Sequence, residues 1–224
     1  MIDEQNYKLE NANLFSIAPM LDCTDKHFRV LMRQISKRAL VYTEMIVAKA
    51  LEHGNIRSLL DFNQIEHPIA LQVGGDNPKV LSKAANLAEE WGYDEINLNI
   101  GCPSPRVQSG NFGACLMANP IQVARCIDAM KSKTKIPVTV KHRTGIDNYD
   151  SYELLTTFVD ELATAGTDRF IIHARKAWLK GLNPKQNRTI PPLEYEKVAR
   201  LKKDRPNLKI EINGGLNTPE DCLN

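Results

Sequence analysis

The chain has 224 residues, 42% of them hydrophobic and 25% charged, an ordinary globular composition with length enough for one large core. No apolar run approaches the ~18 residues of a membrane span, and the polar start Met1–Asn13 lacks a signal-peptide pattern, so no membrane is expected as a partner. Five cysteines, at 23, 102, 115, 126 and 222, form no C-x-x-C pair; they argue against a disulfide framework or a metal site and for a reducing cytoplasm.

Short β-rich runs alternate with helical patterns along the whole chain. The predicted strands are Phe15–Met20, Leu40–Glu44, Ile69–Val73, Glu95–Ile100, Val138–Arg143, Phe170–Ala174 and Lys209–Asn213. Asn77-Pro78 opens a helix with Val80, Ala84, Leu87, Ala88 and Trp91 on one face and Gly92 as its stop. Asn119-Pro120 starts another, with Val123, Ile127 and Met130 inward. Asp150 or Ser151 caps a third, with Leu154, Leu155, Phe158 and Leu162 inward. Thr218-Pro219-Glu220 opens a last helix that the chain barely begins. About seven βα units predict an α/β fold of the (β/α)8 TIM-barrel class, short of its eighth strand. No G-x-G-x-x-G follows the first strand, which weakens a doubly wound dinucleotide-binding alternative. One domain, 1–224, is expected, incomplete at its C-terminus.

The most informative stretch is Asn97–Pro105, N-L-N-I-G-C-P-S-P. It places Cys102 directly after a strand, on a loop stiffened by Gly101 and Pro103. A buried structural cysteine is the ordinary alternative. The other strand ends weigh against it, because barrel active sites occupy that face. They carry Pro19-Met20-Leu21, Glu44, Gln72, Asn97 and Asn99, Lys141 and Arg143, His173 and Arg175, and Asn213-Gly214-Gly215. Lys141 alternates with valines, and such a cation needs an anionic or electron-rich partner. Gly214-Gly215 bares backbone N–H groups suited to a phosphate. An amide, a lysine, a histidine and a phosphate grip fit a planar phosphorylated heterocycle, for which flavin mononucleotide (FMN) is the natural candidate.

Net charge is only +2, but Arg175–Lys209 holds eleven Lys/Arg against three Asp/Glu. That basic segment predicts a polyanionic partner met at one place, with a solvated lysine-rich helix as the alternative.

These residues resemble the tRNA-dihydrouridine synthases. The motifs are A-P-M-L-D at Ala18–Asp22, L-Q-V-G-G at Leu71–Gly75, the Cys102 motif, V-x-x-G-x-x-G-A-x-L at Val107–Leu116, T-V-K-H-R at Thr139–Arg143, I-H-A-R-K-A-W-L-K-G at Ile172–Gly181, and E-I-N-G-G at Glu211–Gly215. The run from His173 to Leu193 looks like the A-type bacterial branch, which acts at position 20/20a of the D-loop. The resemblance implies that NADPH reduces FMN and that reduced FMN passes a hydride from N5 to C6 of a uridine. It implies Cys102 as the acid that protonates C5; thiols titrate near 8.5 in general and so hold their proton at neutral pH. It further implies FMN contacts from Pro19, Met20, Leu21, Gln72, Lys141, His173, Asn213, Gly214 and Gly215. Asn99, Lys185 and Arg188 are the expected tRNA contacts, the latter two in a loop stiffened by Pro184 and Pro191-Pro192. No obligate protein partner is expected, and the C-terminal helical domain that grips tRNA in this family is expected to lie outside these 224 residues. A small-molecule flavin oxidoreductase of dihydroorotate type and a non-enzymatic RNA-binding module are the competing readings.

Overall fold

The computed structural model describes residues 15–218 and 220–222. Its strands are β1 (Ser16–Ile17), β2 (Leu40–Tyr42), β3 (Ile46–Val47), β4 (Ile69–Gly74), β5 (Glu95–Ile100), β6 (Val138–Arg143), β7 (Arg169–His173) and β8 (Ile210–Asn213). The helices of more than one turn are α1 (Lys26–Ile35), α2 (Ile56–Leu60), α3 (Pro78–Glu90), α4 (Pro105–Ser109), α5 (Pro120–Lys131), α6 (Tyr152–Thr164) and α7 (Tyr195–Asp204). Hydrogen bonding follows the order β1-β2-β4-β5-β6-β7-β8, with β3 joined to β4, and the pairs whose register is resolved are parallel. Parallel strands in chain order with intervening helices are the connectivity of a (β/α)8 barrel through its seventh unit. All seven predicted strands are present. The eighth, β3, is a two-residue addition beside β4, with Ile46 opposite Val73, and lies off the main strand path.

The chain clusters into two compact units, Met1–Leu98 with Ala129–Val138, and Asn99–Asp128 with Thr139–Asn224. In the first unit every residue of β4 is buried, as expected of a parallel strand covered on both faces. Asn77 caps α3 by accepting from the Lys79 and Val80 N–H groups, and Pro78 occupies the first turn, where it costs no hydrogen bond. The buried face of α3 is Leu81, Ala84, Ala85 and Ala88. This corrects the predicted stripe: Val80, Leu87 and Trp91 are only partly buried. Small residues let α3 approach the sheet closely, and the larger ones flank that contact. A network without apolar signal anchors α1. Arg29 and Arg33 are buried, and Arg29 Nε donates to Glu66 Oε2 at 2.6 Å. Leu31 and Ile35 of the same helix are exposed.

In the second unit Ser151, rather than Asp150, caps α6 through the Leu154 N–H at 3.2 Å. Leu155, Phe158, Val159 and Leu162 are buried, whereas Leu154 is 39% exposed, a second correction. The i, i+1, i+4, i+8 arc of 154, 155, 158 and 162 is wide, and its edge residue falls outside the contact. The predicted terminal helix is represented by a single 3-10 turn, Glu220–Cys222; Pro219 lies outside the described residues. No helix among the described residues is long and apolar enough to cross a membrane.

Candidate active site

Cys102 sits just past β5 in the second unit, partly buried. Its loop is pinned at nearly every backbone polar group. Asn99 Oδ1 accepts from the N–H groups of Gly101 (3.1 Å) and Cys102 (2.9 Å). The Gly101 carbonyl accepts from Arg143 Nε at 3.0 Å, and the Cys102 carbonyl accepts from Ala114 N–H at 2.9 Å. Gln108 Nε2 donates to the Pro103 carbonyl at 2.8 Å and to the Leu179 carbonyl at 2.9 Å. Gly113 has φ +77°, and a Cβ there would stand 2.6 Å from the Cys102 carbonyl oxygen. The motif Val107–Leu116 therefore encodes a clamp for the cysteine loop. Asn99 is also part of that clamp: its carbonyl oxygen orients the loop rather than reaching outward.

Strand register builds the second part. Arg143 pairs with His173, and His173 with Asn213, so three polar side chains form one row across β6, β7 and β8. Lys141, two residues before Arg143, lies on the same face. Its Nζ donates to Asn213 Oδ1 at 3.0 Å. His142 points the other way, packed against the rings of Phe158 and Phe170 at 5.1 and 6.0 Å. Gly214 (φ +98°) lies against the row: a Cβ there would stand 2.9 Å from the His173 ring.

The row is electropositive. Burial, with the neighbouring Arg143 cation, pulls the Lys141 ammonium down to about 7. The same burial, joined by Arg143, Lys141, Arg175 and Arg188, holds the His173 imidazole neutral, far below its ordinary range. His173 Nδ1 is buried and, among the described residues, meets no hydrogen-bond partner. Four cations around one orphaned imidazole nitrogen are suited to an electron-rich, anionic ligand. A neutral imidazole, an ammonium and two glycine peptides are groups that a phosphorylated heterocycle can use.

Arg143 links this row to the loop after β7. Besides Gly101, it donates through Nη1 to the carbonyls of Asn187 (2.8 Å) and Lys176 (3.2 Å). Asn187 is fully buried; its Oδ1 accepts from Trp178 N–H at 2.8 Å, and its Nδ2 donates to the Trp178 carbonyl at 3.0 Å. This long loop is thus held from within by one asparagine that its charge pattern hides. Much of the basic segment is internally neutralised, which narrows the predicted polyanion surface. Lys176 pairs with Asp150 at 2.6 Å and lies over the Trp178 ring; Arg205 pairs with Asp160 at 2.6 Å; Lys197 pairs with Glu194 at 2.5 Å. Lys180, Lys185 and Arg188 are exposed, and no ion pair engages them among the described residues.

The remaining predicted residues belong to the first unit. Gln72 is buried on β4 opposite Asn97 of β5, and its Nε2 donates to Asn97 Oδ1 at 2.8 Å. Met20 and Leu21 are exposed and Pro19 partly so; the Met20 carbonyl accepts from the Cys23 and Thr24 N–H groups at 3.1 and 2.9 Å, closing a turn. Sequence reasoning missed Asn187 and the linking role of Arg143. A basic residue at a strand end was visible; that its acceptors are three carbonyls from distant segments was not.

Comparison with known proteins agrees with this geometry. The model of the dihydrouridine synthase family matches residues 16–224. A tRNA-dihydrouridine(20/20a) synthase of Synechocystis sp. is 61% identical over 208 residues, which cover 93% of this chain and 62% of that protein. Proteins of the same name from Shewanella oneidensis and Vibrio cholerae are 60% and 56% identical over 208 residues, covering 93% and 92% of this chain and 62% and 63% of theirs. The chain thus spans just over three-fifths of the length of these relatives. Both the motif-bearing strand ends and the match across 16–224 lead to one conclusion: the chain belongs to the dihydrouridine synthase family.

Proposed function

We propose that this chain forms the greater part of the catalytic domain of an FMN-dependent tRNA-dihydrouridine(20/20a) synthase, with NADPH as electron source and tRNA as substrate, working in the cytoplasm. The observation that carries the reading is the Arg143–His173–Asn213 row, with Lys141 beside it and the Cys102 loop hydrogen-bonded to Arg143. The names of these relatives support the tRNA substrate and the position on it.

Lys141, His173, Asn213, Gly214 and Gly215 would hold the flavin. Pro19, Met20, Leu21 and Gln72, in the first unit, are assigned to it on the family resemblance. FMN, when bound, supplies the hydride that saturates the uracil C5=C6 bond. Cys102 holds the proton that completes the reaction at C5. A general acid needs a fixed direction, and the five hydrogen bonds on the Cys102 loop supply it. Lys141, as an ammonium, stabilises negative charge on its ligand. Lys185 and Arg188 contact the tRNA backbone beside the site, and their contacts offset the few kcal/mol needed to flip a base out of folded RNA. Asn99 contacts the uracil or its nucleotide, and its Oδ1 also orients the Cys102 loop.

The test is NADPH-dependent formation of dihydrouridine at position 20/20a of an unmodified tRNA by the protein at the full length of its relatives. A yellow protein that reduces FMN but leaves every tRNA uridine intact would favour a small-molecule flavin oxidoreductase. A colourless protein that binds tRNA would favour an RNA-binding module.

A further inference from the structure

The Asn213-Gly214-Gly215 turn has its own support. Tyr195, the first residue of α7, donates its hydroxyl to the Gly214 carbonyl at 2.6 Å. The hydrogen bond spans 19 residues and owes nothing to strand pairing, since the ladder between β7 and β8 ends at His173–Asn213. Gly215 has φ +75°, and a Cβ there would stand 2.7 Å from the Tyr195 hydroxyl and 2.5 Å from Leu193 Cδ1. The backbone is therefore pressed against the start of α7, at a conformation glycine adopts without strain. Gly214 faces the other way, against His173.

A peptide unit is planar and trans, so a carbonyl oxygen and the N–H that follows it lie on opposite sides of the chain. A hydroxyl that fixes the Gly214 carbonyl on the α7 side also fixes the Gly215 N–H on the side away from α7. Among the described residues that N–H meets no acceptor.

We infer that Tyr195 is a positioning residue: it locks the Gly214–Gly215 peptide so that the Gly215 N–H stands ready as a donor to the phosphate of the flavin. The inference rests on the flavin reading above, and it says why the aromatic hydroxyl stands at the first turn of α7. Tyr195 is 36% exposed, so removing one oxygen leaves the packing of the helix intact.

The test compares FMN with riboflavin, which lacks the phosphate, on the full-length apoprotein and its Tyr195→Phe variant, read by quenching of flavin fluorescence. Tyr195→Phe is expected to weaken FMN binding roughly three- to tenfold, the ordinary range for one neutral hydrogen bond. Riboflavin affinity should be unchanged. Equal FMN affinity in parent and variant, or equal losses for both ligands, would overturn the role of Tyr195 while leaving the flavin site standing. A parent that binds neither ligand would overturn the flavin reading and this inference with it.

Discussion

Cys102, the proposed acid, sits on a loop whose backbone is closely held. Asn99, Arg143, Ala114 and Gln108 take up the polar groups of its loop, so the direction of the Cys102 Cα–Cβ bond is fixed. In the proposed mechanism, replacing Cys102 by alanine removes the acid and leaves the residues assigned to the flavin in place. Cys102→Ala is expected to keep FMN reduction by NADPH and to lose dihydrouridine formation by about 10²-fold or more; full tRNA turnover by the variant would refute the role. Lys141 makes a pH-dependent counterpart. Its ammonium is pulled down to about 7, mainly by burial. A bound anion favours the charged form and raises that value, so binding takes up a proton. FMN affinity should therefore be full below about pH 7 and fall several-fold by about pH 8.5. In Lys141→Met the pH dependence should vanish and retention weaken. The stability sign is the reverse of an ion pair's. An unfolded lysine holds its proton to about 10.4, so Lys141 costs stability below pH 7, and the cost fades as pH rises toward 10.

At the scale of elements, buried charge networks do work that the apolar pattern does not announce. In the first unit, α1 turns Arg29 and Arg33 inward and leaves Leu31 and Ile35 exposed. Glu66 is the centre of this arrangement. Its Oε2 accepts from Arg29 at 2.6 Å, its Oε1 accepts from Asn63 N–H at 2.7 Å, and its carbonyl accepts from Arg33 at 2.8 Å. Removing one partner of a buried pair leaves an uncompensated charge, which costs about 3–5 kcal/mol. Glu66→Gln should therefore lower the urea midpoint sharply, whereas Leu31→Gln on the same helix should barely move it. Arginines at i and i+4 read as a solvated face, and only the meeting with Glu66, 37 residues away, reverses that reading. In the second unit the centre of the α6 face was legible from the apolar pattern, with Phe158 packed on His142, while the buried Arg143 and Asn187 networks were not.

For the whole molecule, the charge surplus proves smaller where it matters than composition implies. Lys176, Lys197 and Arg205 are paired within the protein. Lys180, Lys185 and Arg188 remain exposed on the loop after β7. Removing a cation that neutralises one phosphate lowers the slope of log affinity against log salt by roughly 0.7 to 0.9. Lys185→Ala and Arg188→Ala in the full-length protein should each weaken tRNA binding with that change in slope. Lys185→Ala should leave FMN reduction untouched, whereas Arg188, which adds to the field at His173, should also alter flavin affinity. Unchanged slopes in both variants would place the RNA elsewhere. The 224 residues alone, just over three-fifths of the relatives' length, should bind tRNA more weakly than the full-length protein.

The sequence by itself determined the alternation of strands and helices, the fold class and the strand-end residues, because hydrophobic period, caps and glycine stops are local signals. It also marked Cys102, Lys141, His173 and Asn213-Gly214-Gly215 as a set, since strand ends on one face can be counted along the chain. Only the tertiary structure decided which of them touch. Register placed Arg143, His173 and Asn213 in one row, and register depends on pairing between segments 30 to 40 residues apart. Hydrogen bonds from side chains to distant carbonyls, such as Arg143 to Gly101 and Asn187 or Tyr195 to Gly214, have no sequence period at all. The buried faces of α3 and α6 were misjudged at their edges, because on a wide apolar arc the neighbouring elements, and not the helix, select which edge is covered.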